Sequence, residues 1–346
     1  MKVVMRADAS DLIGVGHVMR CVSLGIRLKS EGKHIHFISA EINDWLISWL
    51  QELDFGFSHL PIECVRNTQL DAQLSALIVE NLEECTWVVV DHYGLDSDWE
   101  TVIKDKNKRI MVIDDVGRRA HSCNVLLDTS LRSTDIDDYS GRLLSKTLVL
   151  SGPSYVILRP EFDNPSLVRF RSGEISKILI YFGGGNIDDE LRKVTSAIRR
   201  STAKNLEVTV VLGKTQTHQE LIDELFSIYS TIKIIDNSSD MANLIKEADL
   251  AIGTCGISAW ERCALGLPAL TVITADNQRD DAIHLDSLGV LKNLGEASEV
   301  DESTWLMEIS NLLNNPTEVS KMSKACLNLN LARRDSQKRL IEIFDQ

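Results

Sequence analysis

The sequence lacks the features that mark nucleic-acid-binding and membrane-spanning proteins. Its 346 residues include 37 basic and 51 acidic side chains, a net charge of −14. No run of lysine or arginine and no aromatic cluster of the RNA-binding type is present, which argues against a nucleic-acid partner. No apolar run approaches the length of a membrane span, and the first residues follow a strand pattern instead of an apolar signal segment. We therefore expect a cytoplasmic protein without membrane insertion.

The sequence also lacks the spacing of a metal site. Its seven cysteines are an odd number, form no C-x-x-C pair and have no ligand spacing with histidine, so reduced thiols are predicted. Asp96 and Asp98 could hold a divalent ion beside a diphosphate, but they precede a helical segment, and capping of that helix is favoured. We predict neither a metal nor a cofactor.

Apolar β-rich runs alternate with amphipathic helical segments in both halves of the chain. This pattern is typical of α/β units with parallel strands. Prolines interrupt it between residues 152 and 176 and indicate a domain junction. We predict two Rossmann-like doubly wound domains facing a cleft, at residues 1–155 and 156–346, with a last helix that can pack back on the first domain. The predicted strands are KVVM, HIHFIS, WVVVD, RIMVID, NVLLD and TLVL, then KILIYFGGG, LEVTVVLG, IKIID, DLAIGT and PALTVI.

The first candidate site follows the first predicted strand, in RADASDLIGVGHVMRC. Gly14 and Gly16 would let backbone N–H groups approach an anion, and the helix that begins near His17 adds a partial positive charge. The same charge disfavours an imidazolium, so His17 is predicted to act as a neutral general base. A hydrogen-bonded structural histidine is the plainer alternative. Arg6 and Asp8 are expected to contact substrate, or else to pair with each other.

A second group of polar residues ends the strand WVVVD. Asp91 is its last residue, His92 and Tyr93 follow, and the Tyr93 phenol is predicted to help hold a water or a ring oxygen.

The second half contains two glycine loops. FGGGN follows a strand but lacks the third glycine of a dinucleotide fingerprint, so NAD is not predicted. In GTCGISAWE, a diphosphate is expected at the helix N-terminus, with the Glu261 carboxylate accepting ribose hydroxyls; an exposed glutamate is the alternative. Asn277 and Gln278 suit sugar hydroxyl or acetamido groups, although Asn277 could instead cap a helix. The predicted contacts here are Gly183, Gly184, Gly185, Asn186, Cys255, Gly256, Ile257, Ser258, Glu261, Asn277 and Gln278, with the Cys255 side chain assigned to packing.

Taken together, these segments resemble the hydrolases of pseudaminic acid biosynthesis, which release UDP from UDP-2,4-diacetamido-2,4,6-trideoxy-β-L-altropyranose. The resemblance runs nearly end to end through RADAS with IGVGHVMRC, VVVDHYGLD, IDDVGRRAHSCNVLLD, SGPSYVILRPEF, FGGG and SAWERCALGLPALTVITADNQ. It implies a GT-B fold, metal-independent chemistry and His17 as the base. It also implies that Tyr93 and Asn277 lie near the sugar, with Glu261 and the loop from Cys255 to Ser258 on UDP.

The expected reaction is an inverting hydrolysis, in which water activated by His17 attacks the anomeric carbon opposite UDP. Three alternatives stay open: a GT-B glycosyltransferase, a hydrolysing 2-epimerase, and a nucleotide-sugar binder without activity. The predicted partner is a small-molecule UDP-sugar.

Overall fold

A computed structural model describes the protein except for residues 11–12, 118, 131–138, 140, 145, 184–187, 202–205, 214–224, 226–231, 237–239, 330, 332–333 and 346. The chain forms two compact units. The first comprises Met1–Pro160 with Ala332–Gln346, and the second comprises Glu161–Leu331. The division falls shortly after the predicted boundary at 155/156, and the last residues of the chain belong to the first unit.

The first unit is built on a seven-stranded parallel sheet with the order β3-β2-β1-β4-β5-β6-β7. Its strands are β1 (Lys2–Ala7), β2 (His34–Ser39), β3 (Gly56–His59), β4 (Cys85–Asp91), β5 (Arg109–Ile113), β6 (Val125–Asp128) and β7 (Leu148–Ser151). Its first four helices are α1 (Gly16–Ser30), α2 (Asp44–Glu52), α3 (Thr68–Asn81) and α4 (Ser97–Lys104).

Both faces of this sheet are buried because helices pack on each side, and successive side chains of a strand point to opposite faces. In β1, Val3 and Met5 join a core cluster with residues of α1 and α2, whereas Val4 joins a cluster with residues of α3 and α4. This explains why the apolar residues of the central strands stand in consecutive runs instead of alternating with polar ones, as the doubly wound prediction requires.

The second unit carries a six-stranded parallel sheet with the order β10-β9-β8-β11-β12-β13. The strands are β8 (Lys177–Tyr181), β9 (Glu207–Leu212), β10 (Ile232–Asp236), β11 (Leu250–Thr254), β12 (Ala269–Ile273) and β13 (Leu291–Glu296). Among the described residues, its α-helices are α5 (Asp188–Arg200), α6 (Met241–Glu247), α7 (Ile257–Ala264), α8 (Arg279–Ser287), α9 (Glu302–Leu313) and α10 (Pro316–Asn328).

The chain closes with α11 (Arg334–Glu342) and a 3₁₀ turn at Ile343–Asp345, which complete the core of the first unit. Ile343 and Phe344 are buried there, and the Phe344 ring lies 5.1 Å from the Trp87 ring between centroids. The Gln337 amide donates to the Val156 carbonyl oxygen at 3.1 Å.

Each sheet reverses its strand order at one point, between β1 and β4 in the first unit and between β8 and β11 in the second. Ligands of open α/β sheets bind beyond the carboxyl ends of the strands at such a point. Ala7 pairs with Asp91 at the ends of β1 and β4, so the loops after these strands start side by side. Within the described part of the chain, no helix is long and apolar enough to cross a membrane.

Candidate active site

His17 and Asp91 form a buried pair at the switch point of the first sheet. His17 is the second residue of α1, and Asp91 is the last residue of β4. The His17 Nδ1 atom lies 2.6 Å from Asp91 Oδ1, and the two side chains are 5% and 0% exposed. Because a carboxylate only accepts hydrogen bonds, a neutral His17 ring carries its proton on Nδ1 and its lone pair on Nε2. No described residue hydrogen-bonds to that Nε2 atom.

Arg20 lies one turn after His17 and shares the same carboxylate. Its Nε donates to Asp91 Oδ2 at 2.7 Å and its Nη2 to Asp91 Oδ1 at 2.8 Å. Its Nη1 donates to Asp115 Oδ2 at 2.8 Å. Burial alone would raise the pKa of Asp91, but Arg20 and His17 outweigh burial and hold this pKa well below its ordinary value. Asp91 is therefore a permanent carboxylate.

Tyr93 completes this group from the loop after β4. Its ring meets the His17 ring edge-on, with 4.5 Å between centroids and an interplanar angle of 83°. The phenol donates to Asp115 Oδ1 at 3.1 Å. Burial and the Asp115 carboxylate raise the pKa of Tyr93, so the side chain stays a neutral phenol. His17 and Tyr93, both predicted site residues, are thus in direct contact.

Arg6 and Asp8 pair with each other, which is the alternative that the sequence left open. Arg6 is 1% exposed and donates to Asp8 Oδ2 at 3.0 Å and to Asp71 Oδ2 at 2.6 Å. Asp8 is 2% exposed and lies 3.2 Å from Nε2 of His92, while the Trp99 indole donates to Asp71. An unpaired charge in an apolar interior costs free energy, so burial favours this internal pairing. Through Asp8, the pair contacts His92, which precedes Tyr93 in the loop after β4.

In the glycine loop before α1, the backbone conformation favours glycine at position 14, and there is free space beside both Gly14 and Gly16. Gly14 has φ +73° and donates to the Ser10 carbonyl oxygen at 2.8 Å, a conformation that favours glycine. A Cβ atom at Gly14 or Gly16 would meet no atom within 4 Å, so packing does not explain the second glycine.

The capping prediction for Asp96 is confirmed. The Asp96 side chain accepts from the Asp98 N–H at 3.0 Å and is the N-cap of α4. Among the described residues, no group of three or more histidine, cysteine or acidic side chains could hold a metal ion.

In the second unit, the loop after β11 is tied by an arginine. Arg262 of α7 is 3% exposed, and its Nη2 donates to the Thr254 carbonyl oxygen at 2.6 Å. Its Nη1 donates to Ser258 Oγ at 3.3 Å. A Cβ atom at Gly253 would lie 2.0 Å from the Tyr181 carbonyl oxygen, so only glycine fits there. These contacts fix both ends of the loop that the sequence assigns to a diphosphate.

The other predicted residues of this loop are mostly buried. Cys255 is 1% exposed, and burial raises the pKa of its thiol. Both observations agree with a packing role for this side chain and argue against a nucleophile. Gly256 is the N-cap of α7 and Ile257 its first residue. Glu261 is 2% exposed, which excludes the alternative of an exposed glutamate.

The remaining predictions are only partly described. Gly183, two residues after β8, has φ +87°, whereas Gly184, Gly185 and Asn186 lie outside the described residues. Asn277 lies in a 3₁₀ turn at Asp276–Gln278, and its side chain is outside the described part. The Gln278 side-chain oxygen accepts from the Thr274 N–H at 3.2 Å, so it is engaged internally.

Sequence reasoning named Asp91 only as a polar residue at a strand end, without a role, and it left out Arg20, Asp115 and Arg262. Asp91 ends β4 and Asp115 lies just beyond the neighbouring strand β5, so their positions were a usable signal. Arg20 lies three residues after His17, on the same face of a helix. Arg262 had no distinguishing signal.

Solved structures of low sequence identity share this architecture over nearly the whole chain. MurG of Acinetobacter baumannii has a TM-score of 0.67 at 13% identity, and 99% of each chain is covered. LpCGTa, solved in complex with UDP, has a TM-score of 0.69 at 12% identity, with 99% of this chain and 98% of that chain covered. The chain has the GT-B fold. At this identity, the likeness shows the fold alone.

Sequence comparisons match the C-terminal part of the chain to a protein family and also find related proteins. Residues 178–340 match the glycosyltransferase family 28 C-terminal domain. The UDP-2,4-diacetamido-2,4,6-trideoxy-β-L-altropyranose hydrolase of Campylobacter jejuni is 23% identical, with 84% of this chain and 97% of that protein covered, so the resemblance to this hydrolase family is confirmed.

Two other relatives are matched over part of their length. An uncharacterized protein of Methanocaldococcus jannaschii is 26% identical over 81% of this chain. A spore coat polysaccharide biosynthesis protein of Bacillus subtilis is 28% identical over 49% of this chain. The matches span 57% and 50% of the lengths of these two proteins.

Proposed function

We propose that this protein is an enzyme that hydrolyses a UDP-sugar, with UDP-2,4-diacetamido-2,4,6-trideoxy-β-L-altropyranose as the substrate to test first. The observation that carries the proposal is the His17–Asp91 pair, with an Nε2 atom that no described residue engages, at the switch point of a GT-B fold. A carboxylate-oriented imidazole is a general base, and water is the simplest acid for it to deprotonate. The resemblance to the Campylobacter jejuni hydrolase supplies the sugar.

The chemistry follows from these groups. His17 Nε2 takes a proton from water while the water oxygen bonds to the anomeric carbon. The bond from that carbon to the diphosphate oxygen breaks on the opposite side, and its electron pair leaves with UDP. A single displacement of this kind inverts the anomeric configuration. Asp91 fixes the ring tautomer, with the proton on Nδ1, and so keeps the Nε2 lone pair available for water.

The leaving group needs stabilisation of negative charge instead of a strong acid. The N-terminus of α7 and the amides of the loop from Thr254 to Ser258 supply it in this proposal, since unpaired N–H groups and the helix dipole favour an anion. Arg262 would keep this loop in shape through its bonds to Thr254 and Ser258. Glu261, Asn277 and Tyr93 stay candidate contacts for the ribose and the sugar.

The test follows UDP release and anomeric configuration by NMR with a panel of UDP-diacetamido-trideoxyhexoses. We expect the altro sugar with inverted configuration as product. His17→Ala should lower turnover about 10²- to 10⁴-fold, the contribution of a general base, with UDP affinity nearly unchanged. His34→Ala, at an exposed position of β2, is the matched control and should keep full turnover. Wild-type turnover in His17→Ala would remove His17 from the mechanism.

A glycosyltransferase is the second candidate, and the match of residues 178–340 to the family 28 C-terminal domain favours it. In that case His17 would deprotonate an acceptor hydroxyl. Release of UDP and free sugar without any acceptor supports the hydrolase. Release only with an acceptor supports the transferase, and tight binding without release indicates a binding protein.

A further inference from the structure

The His17–Asp91 pair contains an electrostatic conflict that a third residue resolves. A buried carboxylate 2.6 Å from an imidazole nitrogen favours the charged imidazolium. An imidazolium has no lone pair and cannot accept a proton from water. Asp91 therefore orients the base and, by its charge alone, would also favour the form of the ring that cannot accept a proton.

Arg20 is positioned to cancel that charge. Its Nε and Nη2 reach the two oxygens of Asp91 at 2.7 and 2.8 Å, a forked geometry that matches a carboxylate. The guanidinium is 10% exposed and Asp91 is fully buried, so solvent screens their interaction little. Burial would lower the pKa of Arg20, but Asp91 and Asp115 raise it well above its ordinary value.

We infer that Arg20 is a positioning residue that keeps His17 available as a base, by neutralising Asp91 while leaving it free to orient the ring. The inference deepens the proposed hydrolysis and rests on it for the kinetic readout. Its physical content is independent of the substrate, because it concerns the pH at which the His17 ring takes up a proton.

The other groups around His17 do not replace Arg20. Tyr93 is a neutral phenol, and the Cys21 thiol on α1 has a pKa raised by burial and by Asp91, so neither supplies positive charge. Asp115 is negative and accepts a hydrogen bond from Arg20 at 2.8 Å, so it offsets part of the positive charge of Arg20. The N-terminus of α1 disfavours imidazolium, but its half-charge is smaller than that of Asp91. Among the described residues around the pair, Arg20 is the full positive charge.

The experiment titrates the ring nitrogens of His17 by NMR in protein with ¹⁵N-labelled histidine. The His17 signals are assigned by their loss in His17→Ala. Arg20→Gln keeps a donor for Asp91 but removes the charge, and we expect the titration midpoint of His17 to rise by about one pH unit or more. Arg20→Lys keeps the charge and should leave the midpoint near that of the wild type.

Lys29→Gln is the matched control, because it removes one positive charge from the same helix at a position about 18 Å from His17 along the axis. That distance exceeds the Debye length of about 8 Å, and Lys29 is paired at the surface with Asp54. Its midpoint should equal that of the wild type. An unchanged or lower midpoint in Arg20→Gln would overturn the inference.

The pH–rate profile separates this role from a merely structural one. In Arg20→Gln the acid limb should move upward with the NMR midpoint and the rate should recover at higher pH, whereas a distorted site lowers the rate at every pH. If wild-type protein releases no UDP, the hydrolysis proposal fails while the NMR result still decides the inference.

Asp115→Asn gives a second test if Arg20→Gln does not fold. It leaves the guanidinium wholly to Asp91, so the midpoint should fall. A midpoint that stays or rises in Asp115→Asn would count against the inference.

Discussion

At the residue scale, His121 makes the stability of the first unit depend on pH. The ring is fully buried, with Nδ1 2.7 Å from Glu100 Oε1 and Nε2 3.0 Å from Asp114 Oδ2. Burial alone would lower the pKa of His121, but these two carboxylates outweigh it and raise the pKa to about 9 from an ordinary 6.5. The folded protein therefore holds a proton that the unfolded chain releases above about pH 6.5.

The sign of the effect follows from this difference in pKa. The stabilising contribution is complete below pH 6.5 and is lost as the pH rises through about 9, and its size is on the order of 3 kcal/mol. His121→Gln should lower the free energy of unfolding more at pH 6 than at pH 9.5, as measured by urea denaturation. The exposed substitution His34→Gln should show no such difference. An equal loss for His121→Gln at both pH values would contradict the prediction.

At the element scale, α7 is held by an arginine at each end. Arg262 binds the loop at its N-terminus, while Arg171 donates to the Leu265 carbonyl oxygen just beyond its C-terminus. Both side chains are almost fully buried.

If the N-terminal loop binds UDP as proposed, Arg262→Met should weaken UDP binding about tenfold by calorimetry, since a loosened loop loses aligned N–H groups. Arg171→Met should lower thermal stability yet leave UDP affinity within about twofold. Equal weakening in the two variants would refute a specific role for Arg262.

The sequence predicted those elements whose own residues carry the pattern. The central strands were found because they are buried on both faces and read as continuous apolar runs. β3 and β13 were missed because they lie at the sheet edges and are mostly exposed or half-buried, so GFSH and LKNLGE show no apolar run. The Gly14 loop likewise pointed to His17, but the partnership with Asp91 joins residues 74 positions apart. It depends on β4 lying beside β1, which no local pattern encodes.

At the scale of the whole molecule, the end of the chain belongs to the first unit although the second unit precedes it in sequence. Phe344 is 1% exposed and packs on Trp87 of β4, the strand that ends in Asp91.

Phe344→Ala leaves a cavity in that core and should lower the free energy of unfolding by about 3–5 kcal/mol. Hydrogen exchange should then accelerate in β1 and β4 but not in β8 and β11, because the second unit has its own core. Phe170→Ala, at a side chain that is 52% exposed in the second unit, removes the same atoms and should change neither set. Faster exchange in both units after Phe344→Ala would mean that they unfold as one, and the closing segment would then stabilise the whole chain instead of the unit that holds His17.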